Sequence, residues 1–216
     1  FHAGFSDRDG AINPAIKQIN IDPSGPNAGA SIINYPRKIL ADQIHNAPSE
    51  NEYIDATVKW DLGQVQLTSI TAYIDSSAGP RSRDIDGTEI RIIHDGTLGG
   101  GNGVVLDTQS FTQEFLLASS GAERLDWLLG LYYIHDNTFA RSGIDLPTFF
   151  LPFLQNATKS ITDAYAVCGH VSYDLTDKLH LNAGLRYSYE EKEVNRELFI
   201  GFASVAGPET LKDNWT

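Results

Sequence analysis

One cysteine, Cys168, occurs in 216 residues, so the chain can form neither an intrachain disulfide nor a cysteine-built zinc site. Basic residues are also scarce: 16 lysines and arginines stand against 28 aspartates and glutamates, for a formal charge of -12. That balance excludes nucleic acid as a partner, because counterion release from a phosphate backbone needs a positive surface. No apolar run reaches the roughly 18 residues that a membrane-spanning helix requires. A β-barrel is untouched by this absence, since its spanning strands alternate and keep average hydropathy low. Catalytic signatures are missing as well. There is no Gly-x-Ser-x-Gly elbow, and no serine, histidine and carboxylate set can be argued into contact. An enzyme is not expected, and no cofactor is called for.

Several short motifs turn out bland. Asp84-Ile85-Asp86-Gly87-Thr88-Glu89 alternates carboxylates around a glycine but lacks the spacing and closing glutamate of a calcium loop, so it reads as a turn. Gly99-Gly100-Gly101 has no Lys-Ser or Lys-Thr after it and no strand feeding a helix, which makes a flexible loop tip the reading. Asn156-Ala157-Thr158 and Asn214-Trp215-Thr216 match glycosylation sequons by chance. The histidines at 2, 45, 94, 135, 170 and 180 are scattered, and Cys168 reads as a small space-filling residue on a strand.

What the chain has in abundance is alternation. Tyr165, Val167, Gly169, Val171, Tyr173 and Leu175 share one face of a segment whose other face carries Ala164, Ala166, Cys168, His170, Ser172 and Asp174. After the turn at Leu175-Thr176-Asp177-Lys178 the pattern resumes, with Leu179, Leu181, Ala183, Leu185, Tyr187 and Tyr189 against His180, Asn182, Gly184, Arg186, Ser188 and Glu190. A period of two is a strand, and two such strands about a short turn are a hairpin. Pairing Leu175 with Leu179 fixes the ladder: Tyr165 faces Tyr189, Val167 faces Tyr187, Tyr173 faces Leu181, His170 faces Gly184 and His180 faces Asp174. Every apolar residue meets an apolar partner, and tyrosines fall near both ends of the band. Such a face suits either a soluble sheet under a second layer or a barrel wall turned to lipid.

Further strands are expected over Phe1 to Arg8, Asn51 to Asp61, Val65 to Asp75, around Phe111 to Leu117, and from Leu125 through Tyr133. In the Val65 segment the buried face is ambiguous, because Leu67 and Tyr73 lie opposite Ile70 and Ile74. Between the strands, long polar stretches (to about Glu50, Ser76 to about Asp107, Asn137 to about Ile161, and an unfinished tail from Val194) alternate with short turns at Leu62 to Gln64, Ser120 to Arg124 and Thr176-Asp177. Barrels of the outer membrane place short turns at the periplasmic side and long loops outside, whereas loops of this length are uncommon in a compact soluble domain.

The wording of the strands adds a resemblance. Ser110-Phe111-Thr112-Gln113-Glu114-Phe115-Leu116-Leu117-Ala118-Ser119, Leu125-Asp126-Trp127-Leu128-Leu129-Gly130-Leu131-Tyr132-Tyr133 and Ala183-Gly184-Leu185-Arg186-Tyr187-Ser188-Tyr189-Glu190-Glu191-Lys192 resemble barrel strands of TonB-dependent outer-membrane receptors. So do Leu67 to Tyr73 and Phe5 to Gly10. Leu116 departs from the pattern, since such receptors often carry an arginine there. The resemblance implies an all-β fold: an antiparallel transmembrane β-barrel segment of about seven strands, part of a barrel of about 22 strands, visible as a curved open sheet with long loops on one side. Residues 1-216 would be a partial barrel domain, with the plug and the TonB-engaging segment absent. The chain would then be a piece of a longer protein, prone to aggregate if expressed alone because its edges stay open.

The resemblance also implies a function: active uptake across the bacterial outer membrane of a scarce ligand such as a ferric siderophore, haem, cobalamin or a saccharide. The partners would be the TonB complex, the ligand and outer-membrane lipid. A passive porin-like channel and a soluble carbohydrate-binding β-sandwich are the alternatives. Glu114, Arg186 and Glu190, which parity turns to the lumen, are expected to line a wet interior and are candidates for ligand contact; Phe149, Phe150 and Phe153 of the apolar loop Leu146 to Leu154 either fold against their neighbours or form a wall at the outer mouth that meets ligand. The Thr176-Asp177 turn is expected to be periplasmic, with the Tyr165/Tyr189 end toward the outer surface.

Overall fold

The computed structural model describes residues 1-8, 47-81, 83-84, 94-95, 104-120, 124-146, 151-176, 178-200 and 203-215. For 80-81, 83-84, 94-95, 145-146, 151-153 and 203-215 it describes the backbone path alone. The strands are β1 (His2–Arg8), β2 (Ser49–Asp61), β3 (Val65–Arg81), β4 (Arg83–Asp84), β5 (His94–Asp95), β6 (Val104–Ser119), β7 (Leu125–Leu146), β8 (Leu151–Thr176), β9 (Leu179–Ile200) and β10 (Ala203–Trp215). They form one antiparallel sheet in the order β1-β2-β3-β6-β7-β8-β9-β10, with the two-residue strands β4 and β5 beside β7. The expected architecture is therefore present: an all-β, curved and open sheet without a second layer among the described residues. Among the described residues no helix is long and apolar enough to cross a membrane.

The hairpin of β8 and β9 has the register read from the sequence. Tyr165 pairs with Tyr189, Val167 with Tyr187, Tyr173 with Leu181, His170 with Gly184 and Asp174 with His180. The correction is at the turn itself, where Thr176 rather than Leu175 opposes Leu179, after a one-residue shift beyond Asp174. A bulge there inserts an unpaired residue and tightens the reversal.

Pairing also settles the face of β3. Leu67 lies between Trp60 and Leu117, and Tyr73 between Ile54 and Phe111. Directly opposed residues share a face, so Leu67 and Tyr73 join the apolar side while Ile70 and Ile74 join the other. At the β2-β3 turn Gly63 takes a positive φ of 88°, a conformation glycine adopts without steric cost. Its amide donates to Asp61 Oδ1 at 2.9 Å.

Two expected loops are strand instead. The stretch Asn137 to Ile161 continues β7 and β8, leaving 147-150 as the connection. The supposed tail from Val194 completes β9 and, after 201-202, forms β10. Likewise β3 extends to Arg81 and β6 starts at Val104, which shortens the loop between them at both ends. Polar residues on both faces hid these extensions, because alternation is visible only where one face is apolar.

Candidate functional site: a wall with two faces

The sheet presents two chemically distinct faces. On the first, exposed apolar side chains run across neighbouring strands: Trp60, Phe115, Leu131, Val167 and Tyr187 stand in adjacent ranks, and Leu185 is 81% exposed, Tyr187 58% and Leu131 57%. Water would meet this band over most of its area if nothing else covered it. From Tyr165 to Leu175 the band measures roughly 33 Å along the strand. With strands tilted by about 40° that is roughly 25 Å in height, the thickness of the apolar belt of an outer-membrane barrel.

The upper rim of this band is aromatic. Rings of Phe111 and Tyr133 lie 6.3 Å apart, and those of Tyr133 and Tyr165 4.9 Å. Tyr133 points its hydroxyl away from the band and donates to Asp163 Oδ1 at 2.9 Å, and His135 Nδ1 bonds the same oxygen at 2.9 Å. A ring toward apolar surroundings and a hydroxyl toward polar ones is how tyrosine sits at a membrane-water boundary. This aromatic border lies on the side of β7 and β8 remote from the Thr176 turn.

The second face carries the residues expected to line a lumen. Glu114, Arg186 and Glu190 all lie on it, as parity required. Glu114 pairs with Ile70 and Tyr132, Arg186 with Cys168, and Glu190 with Ala164. The fold does not bring them together, since β6 and β9 are separated by β7 and β8. Arg186 Nε donates to Ser188 Oγ at 3.0 Å on its own strand. Phe149 and Phe150 lie outside the described residues, as does the side chain of Phe153. The glycine run at 99-101 and the carboxylates at 85-89 are outside them too.

Sequence reasoning missed the middle of this inner face. Gly130 is buried, flanked by Leu116 and Cys168 in the same rank, with Tyr132 and Ile134 on the strand above it. Leu116 fits this place, because its aliphatic side chain packs beside a residue without one. Around this centre the inner face is polar. Ser76 donates to Asn51 at 2.6 Å, and Thr138 to Asp136 at 2.9 Å. Asp55 bonds His2 at 3.2 Å, and Asp174 is bonded by His180 Nδ1. Among the described residues no three potential metal ligands gather.

No family model matches the chain. Its structure is similar to the crystal structure of the ferric yersiniabactin uptake receptor FyuA from Yersinia pestis, with a TM-score of 0.65 and 16% sequence identity over 80% of this chain and 25% of that one. The chain thus spans about a quarter of that receptor's length. What it shares with the receptor, at this identity, is the fold.

Proposed function

We propose that this chain forms part of the wall of a bacterial outer-membrane receptor that takes up a scarce ligand, such as a ferric siderophore, with energy delivered through the TonB complex. The observation that carries the reading is the exposed apolar band, of bilayer height, rimmed by tyrosines whose hydroxyls leave it for Asp163. Likeness of fold to an uptake receptor supports transport over catalysis. On this reading Glu114, Arg186 and Glu190 line the aqueous interior, and the long strands beyond the rim carry the outer mouth.

Two measurements test it on the full-length protein in intact cells. In a Cys168→Ala background, a membrane-impermeant maleimide should label Ser188→Cys when admitted to the periplasm, and leave Leu131→Cys untouched until the membrane is dissolved. Equal labelling of the two positions would remove lipid from the apolar face. Uptake of a ferric siderophore should then stop when TonB is deleted. Uptake that continues by diffusion would instead favour a passive pore.

A further inference from the structure

Just beyond the aromatic rim, on the same side of the sheet as the apolar band, six side chains from three adjacent strands form a regular grid. Asp75, Gln109 and Asn137 make one rank of paired residues on β3, β6 and β7, and Ser77, Asp107 and Phe139 make the next. They line an open hollow of about 440 Å³ on this face of the sheet, within the roughly 300-1,000 Å³ of small-molecule sites. The first rank stands one step, roughly 7 Å along the strand, above the Tyr73/Phe111 pair.

The polar groups of this hollow are held in place. Gln109 Nε2 donates to Asp75 Oδ2 at 3.0 Å, and Ser77 Oγ donates to Asp107 Oδ1 at 2.7 Å. Each carboxylate keeps further lone pairs for other donors. The Asn137 side chain has no hydrogen-bond partner among the described residues. Phe139 is half-buried at the edge of the hollow, an aromatic ring in a zone where its neighbours are polar.

We propose that this hollow binds a neutral, hydroxyl-rich saccharide, namely the sugar headgroup of a glycolipid in the outer leaflet. Fixed carboxylates and planar amides suit the paired donors and acceptors of vicinal hydroxyls, and a flat ring suits the C–H face of a pyranose. Two carboxylates repel phosphate, which favours the unphosphorylated part of such a headgroup. The position selects the anchored source: a lipid whose chains pack on the band below delivers its sugars to this height. The site faces away from the lumen, so its ligand is a companion of the receptor and not its cargo. This inference rests on the barrel reading for the placement of the face.

The test uses the full-length receptor with phospholipid vesicles carrying either diacylglycerol or the same diacylglycerol bearing a neutral oligosaccharide of hexoses. The sugar-bearing vesicles should bind about tenfold more tightly, the effect of roughly one good hydrogen bond. Gln109→Ala and Phe139→Leu, which stays apolar but loses the flat ring, should each abolish the preference while the protein still floats with both vesicles. Equal binding of the two lipids, or a preference that survives both substitutions, overturns the site. The same neutral oligosaccharide free in solution, if it binds as tightly as the anchored form and with the same sensitivity to substitution, overturns the glycolipid as its source. A protein that floats with neither vesicle overturns the barrel reading itself, whereas failure of the pocket alone leaves flotation intact.

Discussion

Leu185→Arg should destabilise the full-length receptor by roughly 2-4 kcal/mol in phospholipid vesicles, the cost of a guanidinium on the lipid face near the bilayer midplane. Leu185 is the position to use because it is 81% exposed and stands between the Tyr165/Tyr189 rim and the Leu179 end of the band. With so much of its surface exposed it has little packing to lose, so a packing loss would not mimic the effect. If water lay against this face, an exposed leucine could be replaced within about 0.5 kcal/mol. Asn182→Arg, on the inner face of the same strand, is the matched control and should cost little. Urea unfolding of the three proteins reads the difference. Equal stabilities would remove the membrane from the description.

Gly130→Val has the second large effect, and its sign separates two kinds of physics. By strand propensity alone, a β-branched residue in place of glycine should stabilise β7. The surroundings demand the opposite: a Cβ at Gly130 would lie 2.6 Å from Cys168 Sγ and 3.2 Å from Leu116 Cδ2. Overpacking of this kind costs about 1-3 kcal/mol, so Gly130→Val should lower stability by that amount. Cys168→Ala removes the nearest obstruction and should return part of the loss. A double-mutant cycle with Gly130→Ala and Cys168→Ala should show a coupling of about 0.5 kcal/mol or more. Additive effects would mean that the cysteine does not set the space at Gly130. Such a result would leave Leu116, whose Cδ2 lies 3.2 Å from the same Cβ position, as the side chain that requires the glycine.

The same contrast of faces governs what could be read in advance. Tyr165 to Leu175 and Leu179 to Tyr189 declared both strand and register, because a slip of one residue would have turned every apolar side chain to the polar side. The Val65 segment stayed ambiguous because Ser69 and Thr71 interrupt its outward face. That gap became intelligible only beside Gln113, whose side chain accepts from Thr71 at 2.6 Å and donates to Ser69 at 3.0 Å. Upper β7 and β8, and all of β10, left no period in the sequence, since both of their faces are polar enough to resemble loop. For the site, parity placed Glu114, Arg186 and Glu190 on one face, but lateral separation depends on how many strands intervene. The grid of Asp75, Gln109 and Asn137 was invisible for that reason: its members are neighbours only across strands.

The length of β8 beyond its tyrosine carries a kinetic consequence. From Leu151 to Tyr165 the strand runs roughly 45 Å past the rim, while from Tyr165 to Thr176 it lies against the apolar band. In a bilayer these two parts of one hydrogen-bonded strand meet different concentrations of the hydroxide that catalyses amide exchange. Deuterium uptake should therefore break near Asp163, fast and salt-independent above it and nearly frozen below, although the ladder between β7, β8 and β9 is continuous across the break.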